Sequence, residues 1–165
     1  MRILVTAASK HGATREIADR IAQRLGDAGH EVTCQAPEDV TSVDDFDAVV
    51  CGSAVYMTQW MSSAQEFVSR FEDQLAERPF WAFSVGMAGV PKHAPQDPSR
   101  IGPVLLRVRA EGHQAFPGRY KPELLNLRER SIARLAGAVE GDFRDWNAVQ
   151  AWTDGIIRSL ASDTE

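Results

Sequence analysis

The chain has 165 residues, 44% hydrophobic and 25% charged, the proportions of a globular domain with one sizeable core, so a single domain over 1–165 is expected. A net charge of −5 and a pI near 5.4 exclude whole-molecule attraction to nucleic acid phosphate, which rests on clustered Lys and Arg, and leave only local basic patches. No basic leader with an apolar run precedes Ile3 and no stretch is long enough to span a bilayer, so the expected location is cytoplasmic.

Arg2 to Ala7 is a continuous apolar run, the mark of a strand covered on both faces. Thr14 to Leu25 spaces Ile17, Ala18, Ile21, Ala22 and Leu25 as one face of a helix, with Gly26 and Gly29 to stop it. Glu31 to Gln35 reads as a short strand and Asp47 to Cys51 as another, ending on Gly52. Cys34 and Cys51 fall in these two strands and are read as reduced core residues. Ser62 to Leu75 predicts a helix that buries Ala64, Phe67, Val68, Phe71 and Leu75. Phe80 to Val85 is a buried strand ending at Gly86, and Pro91 to Pro98 is a loop. A helix from about Ser99 to Ala110, a strand from His113 to Phe116, a break at Pro117 and Gly118, and a helix from Glu123 to Ala136 follow. Trp146 to Ala161 closes the chain as a helix, with Asp145 as its N-cap. Five strands alternating with helices require a doubly wound α/β sheet, whose ligands bind at the strand carboxyl ends.

The first of those ends is Ser9-Lys10-His11-Gly12-Ala13-Thr14, followed at once by a strong helix. Main-chain amides, the helix dipole and small residues suit that position to a phosphate, with the Ser9 and Thr14 hydroxyls as further donors. The loop lacks both the Gly-Lys-Ser/Thr ending of a P-loop and the three spaced glycines of a dinucleotide fingerprint. A plain helix start with Gly12 as its turn is an equally good reading of the loop alone.

Ser9-x-x-Gly12-x-Thr14 after an apolar strand resembles the phosphate loop of the flavodoxin superfamily, with His11 in place of the middle threonine of Ser/Thr-x-Thr-Gly-x-Thr. Gly12 to Ala18, Ala64-Gln65-Glu66-Phe67-Val68 and Asp145-Trp146 are similar to the branch containing the menaquinone-dependent protoporphyrinogen oxidase. The resemblance implies a flavodoxin-like five-stranded parallel sheet of order 2-1-3-4-5, helices on both faces, and FMN rather than FAD or NAD. It places the phosphate on Ser9, Lys10, His11, Gly12, Ala13 and Thr14, and the flavin ring between two later loops. One is Ser53, Ala54, Val55, Tyr56 and Met57, with Tyr56 where flavodoxins often stack an aromatic on the ring. The other is Ser84, Val85, Gly86, Met87, Ala88 and Gly89, expected to offer backbone hydrogen bonds to the ring's polar edge. The segment between the fifth strand and the last helix is shorter and less aromatic than the long insertion of the oxidase.

Plainer roles compete for some of these residues. Tyr56 and Trp60 also suit aromatics that cover the edge of the core, Met87 suits a core or lid position, and Gly86 and Gly89 suit turns. His11 suits either a phosphate contact or a solvent-facing ring. His93 and His113 have no partner at ligand spacing and no G-x-S-x-G motif occurs, so neither a metal nor a catalytic nucleophile is expected. In the Arg119–Arg134 stretch, Arg119, Lys121, Arg128, Arg130 and Arg134 surround Leu124, Leu125, Leu127, Ile132 and Leu135. Such a stretch ordinarily buries its leucines; the other reading is peripheral contact with an anionic membrane.

The function that follows is an FMN oxidoreductase or electron-transfer protein serving a small substrate, a quinone or a redox partner protein. A small flavodoxin-like carrier and a flavin-free regulatory module on the same fold are the alternatives. A homodimer is compatible with the fold, without residues that demand it.

Overall fold

In a computed structural model of the chain, residues 1–86, 103–135 and 137–164 are described. Strands β1 (Arg2–Ala8), β2 (Glu31–Gln35), β3 (Ala48–Tyr56), β5 (Phe80–Val85) and β6 (Gly112–Phe116) form a parallel sheet of order β2-β1-β3-β5-β6. This is the expected doubly wound order. The two-residue strand β4 (Gln59–Trp60) is added antiparallel to the end of β3, pairing Tyr56 with Gln59 and Val55 with Trp60.

The apolar runs are continuous because successive residues feed two cores. Ile3, Val5, Val50 and Phe83 face helices α1 (Ala13–Asp27) and α5 (Trp146–Ser162), which bring Ile17, Ile21, Leu25, Val149, Ile156 and Leu160. Leu4, Val49, Cys51 and Ala82 face the other way, onto Phe67 and Val68 of α2 (Ser62–Arg70), Leu75 of α3 (Glu72–Ala76), Leu105 and Val108. Asp145 caps α5 as expected, its Oδ1 accepting the Ala148 amide at 3.0 Å.

Four local expectations change. The helix expected over Ser62–Leu75 breaks at Phe71 (φ −111°, ψ 23°), whose ring packs edge-on against Phe67 with centroids 5.3 Å apart. The helix expected from Glu123 is a 3-10 turn, Pro122–Leu124, followed by α4 (Leu127–Leu135). Asn126 starts α4 with a reciprocal cap: its side chain accepts the Glu129 amide at 2.9 Å while Glu129 Oε2 accepts the Asn126 amide at 3.3 Å. Cys34 is an exposed residue of the edge strand β2 rather than a core thiol, whereas Cys51 is fully buried, and burial pushes its thiol pKa up. The Ser99–Ala110 helix is represented by a 3-10 turn, Pro103–Leu106; residues 99–102, with the loop at 91–98 and His93, lie outside the described residues.

Two further strands, β7 (Arg119–Tyr120) and β8 (Gly141–Asp142), form a small antiparallel ribbon beside the sheet. Among the described residues, no helix is long and apolar enough to cross a membrane.

Candidate functional site

The sheet order reverses between β1 and β3, so the chain leaves their carboxyl ends in opposite directions and opens a crevice there. A cleft of about 500 Å³ occupies that position, within the range of small-molecule sites. Ser9, Lys10, His11, Ala13 and Thr14 line one end, Ala54, Val55, Tyr56 and Met57 a wall, and Val85 with Gly86 the floor beside them. The first two loops singled out by the sequence therefore meet there with Val85 and Gly86 of the third.

The first loop turns on Gly12, which sits at φ +88° in the left-handed region that glycine enters without a side-chain clash. Its amide donates to Ser9 Oγ at 3.1 Å. No side chain caps α1, so the amides of its first turn lack an intrahelical partner at the positive end of the helix dipole. An anion is the natural occupant of such an end.

The second loop is a hairpin built without glycine. Met57 (φ 50°) and Thr58 (φ 65°) both take left-handed backbone to close the two-residue turn between β3 and β4. This holds Tyr56 half-buried on the cleft and leaves Met57 exposed. Trp60 takes the core-edge role: it is 2% exposed and its Nε1–H donates to Ser84 Oγ at 2.8 Å.

Not every expected residue reaches the cleft. Ser84 is fully buried, and its hydroxyl also meets His113 Nε2 at 2.7 Å. Burial lowers the His113 pKa and so favours the neutral ring, whose tautomer sets which partner donates. Ser53 is buried as well; its Oγ accepts the Met61 amide at 2.9 Å and donates to the Ala54 carbonyl at 2.8 Å. Both serines tie strand ends together. Gly12 shapes the loop from outside the lining, and Met87, Ala88 and Gly89 lie outside the described residues.

The far wall consists of residues the sequence reading did not place in the site: Gly118, Arg119, Tyr120, Leu124, Leu125, Glu129 and Ala133. Gly118 makes this wall possible, since a Cβ there would lie 2.2 Å from the Gly86 carbonyl oxygen. The cues in the sequence were the Pro117-Gly118 break after the last core strand and the basic Arg119–Arg134 stretch, whose Arg119, Lys121, Leu124 and Leu125 reach the cleft.

Charge joins the walls. Glu129, its side chain 6% exposed, accepts from Lys10 Nζ at 2.5 Å and lies 3.1 Å from His11 Nε2. The hydrogen bond from Lys10 holds its carboxyl below the usual range, against the opposing effect of burial. His11 thus faces a carboxylate rather than open solvent. Lys10 Nζ also stands 5.0 Å from the centroid of the Tyr56 ring. Arg119 donates to the His11 carbonyl at 3.1 Å and to Glu16 at 3.3 Å. Arg144 joins Glu16 to Asp142, at 2.7 Å from the latter, and its guanidinium holds the Asp142 pKa down at about 2.

The basic stretch departs from its ordinary reading. Leu124, Leu127 and Leu135 are 45%, 79% and 90% exposed, while α4 buries Glu129 and Ala133.

Chemically, the cleft offers an anion-holding helix start at one end and an apolar, aromatic-lined slot at the other. Comparison with known proteins agrees with this geometry. Residues 4–146 match a family model described as a flavodoxin domain. Flavodoxin from Pseudomonas aeruginosa, solved as a cysteine mutant, superposes with a TM-score of 0.63 at 12% identity, covering 98% of this chain and 99% of that one. A Streptococcus pneumonia flavodoxin gives 0.61 at 16% identity over 99% of each chain. Rubredoxin oxygen:oxidoreductase from Desulfovibrio gigas gives 0.65 at 12% identity, with 98% of this chain covering only 36% of that much longer protein. At these identities the superpositions speak for the fold. No curated protein sequence matches the chain.

Proposed function

This chain belongs to the flavodoxin domain family, and from that premise we propose that it binds one FMN and passes electrons through it. The observation that carries the reading is that residues at the carboxyl ends of β1, β3 and β5 line one cleft at the strand-order reversal. The residues present fit such a group. Main-chain amides at the start of α1, with the Thr14 hydroxyl, receive the phosphate; Tyr56 and Met57 wall the ring on one side, and Val85 and Gly86 lie along the other. The flavin supplies the redox chemistry, and the chain orients it, keeps one part of its ring covered and leaves an edge open to a partner. No side chain of the cleft is needed as an acid, a base or a nucleophile in this reading.

Titrating purified protein with FMN and following flavin fluorescence tests the proposal: saturable one-to-one quenching is expected, and unquenched flavin would overturn it in favour of the flavin-free module. Between an oxidase and a small carrier, two assays decide. Oxidation of protoporphyrinogen with a quinone acceptor marks the oxidase; transfer between a reductase and an acceptor protein without that activity marks the carrier.

The exposed leucines beside Arg128 and Arg134 favour a second reading, in which α4 rests on an anionic membrane and presents the cleft to a lipid-soluble acceptor. Salt-sensitive binding to anionic but not neutral liposomes is the expected result, and equal binding to both removes it.

A further inference from the structure

Beside the main-chain amides at the start of α1, this chain supplies an anion of its own to the side chains of the same loop. Glu129 arrives from α4, 118 residues away in sequence, and its carboxylate contacts two side chains of the loop, the Lys10 ammonium through Oε1 at 2.5 Å and the His11 ring through Oε2 at 3.1 Å. It does so from a buried position on the cleft lining, held at the α4 start by the Asn126 amide. Lys10 completes a bar across the opening, since the same ammonium that binds Glu129 stands over the Tyr56 ring.

We propose that Glu129 is an internal competitor of the cofactor's phosphate, and that it sets how strongly the cleft prefers a phosphorylated flavin to an unphosphorylated one. This rests on the FMN reading above. A phosphate monoester carries between one and two negative charges at neutral pH. Placed in the loop, it seeks the donors that Glu129 now holds and stands against a buried carboxylate of like sign. Lys10 and His11 must therefore turn from Glu129 to the phosphate, and Lys10 must leave the face of Tyr56 for a planar ring to lie there. Without FMN the contact pairs the buried Glu129 carboxylate with the exposed Lys10 ammonium. In the loaded protein it is broken, and α4 loses its tie to the first loop.

Riboflavin, which has the same ring and no phosphate, separates this from a general effect on the cleft. Dissociation constants for FMN and riboflavin are measured by fluorescence quenching for the wild-type chain, Glu129→Gln and Glu129→Ala. Removing the competing charge is expected to tighten FMN by about tenfold, to leave riboflavin within about twofold, and to raise the potency of inorganic phosphate as a competitor of FMN. Hydrogen exchange gives a second readout: on adding FMN to the wild-type chain, amides of 127–135 should exchange faster while those of 9–16 slow.

If Glu129 instead orders Lys10 for the phosphate, the variants bind FMN more weakly and 127–135 become protected, which overturns the proposal. Equal changes in FMN and riboflavin also overturn it, since the effect then lies in the ring slot. A wild-type chain that binds no FMN refutes the flavin reading; if Glu129→Gln then gains binding, the competitor is established by that gain, and if it does not, both ideas fall together. Circular dichroism of Glu129→Gln confirms that the comparison is made between folded proteins.

Discussion

The two walls of the cleft are built by different physics. The inner wall grows out of β1, β3 and β5, whose residues are buried on both faces, and it is fixed by apolar packing: Phe83 meets Phe116 at 6.3 Å and Trp152 at 6.0 Å between centroids. The outer wall, from Gly118 to Leu135 with the β7–β8 ribbon, is held by a glycine contact, a helix cap and charges: Arg119 and Arg144 on Glu16, Lys10 and His11 on Glu129. Leu124 and Leu125 line the cleft, while Leu127 and Leu135 are exposed. A wall made of packing gives rigid shape; a wall made of ion pairs gives a surface whose strength follows pH and salt.

The contrast can be tested by perturbing each wall in turn. Phe83→Ala strikes the inner wall and should cost about 4 kcal/mol in denaturant unfolding, because the ring fills space shared by two other aromatics. A cost under about 1 kcal/mol would mean the inner wall is loosely packed. Gly118→Ala pushes the outer wall off the Gly86 backbone and should cost about 2 kcal/mol while weakening FMN binding; unaltered stability with unaltered binding would show that the close approach is not needed. Thr58→Gly relieves a β-branched residue from left-handed backbone at the hairpin and should stabilise the protein by about 1 kcal/mol, read as a higher melting temperature.

Acid should loosen the outer wall first. The Asp142 carboxyl is depressed to about 2, so its contribution is complete above its ordinary value near 3.8 and is lost as the pH falls between the two. Solvent screening keeps that loss below about 1 kcal/mol, and Asp142→Asn should flatten it in a urea series from pH 5 to pH 2. Glu129, depressed in the same direction, adds to the loss on protonation. The smallest effect belongs to Leu127→Ser and Leu135→Ser, expected to change stability by no more than about 0.5 kcal/mol each, since both side chains are already in water. A larger loss would mean that these leucines are covered in solution.

The same division explains what the sequence could be made to say. Continuous apolar runs at Arg2–Ala7, Asp47–Cys51 and Phe80–Val85 announce strands covered on two sides, and the helical spacing from Ile17 to Leu25 announces α1, so these elements were legible in the pattern, while the strand order and the loops of the inner wall followed from the flavodoxin resemblance. The strand β2 misled only over Cys34, because an edge position exposes a residue whatever its type. The hairpin at Met57-Thr58 was invisible, since neither residue carries the glycine or asparagine signal of such a turn. Ser53 and Ser84 belong to the right strand ends, but pattern alone does not say that a hydroxyl is consumed by Met61 or by Trp60 and His113. Glu129 could not be found at all: its partners are 118 and 119 positions away, and a lone acidic residue in a polar helix gives no local cue.

The hydrogen-bond chain from the Trp60 indole through the Ser84 hydroxyl to the His113 ring crosses from the hairpin to the last core strand. It bolts the aromatic side of the slot to the sheet, so that side is no flap. Any breathing that admits a guest must be done by the opposite jaw, and substitutions that alter the speed of entry should cluster there.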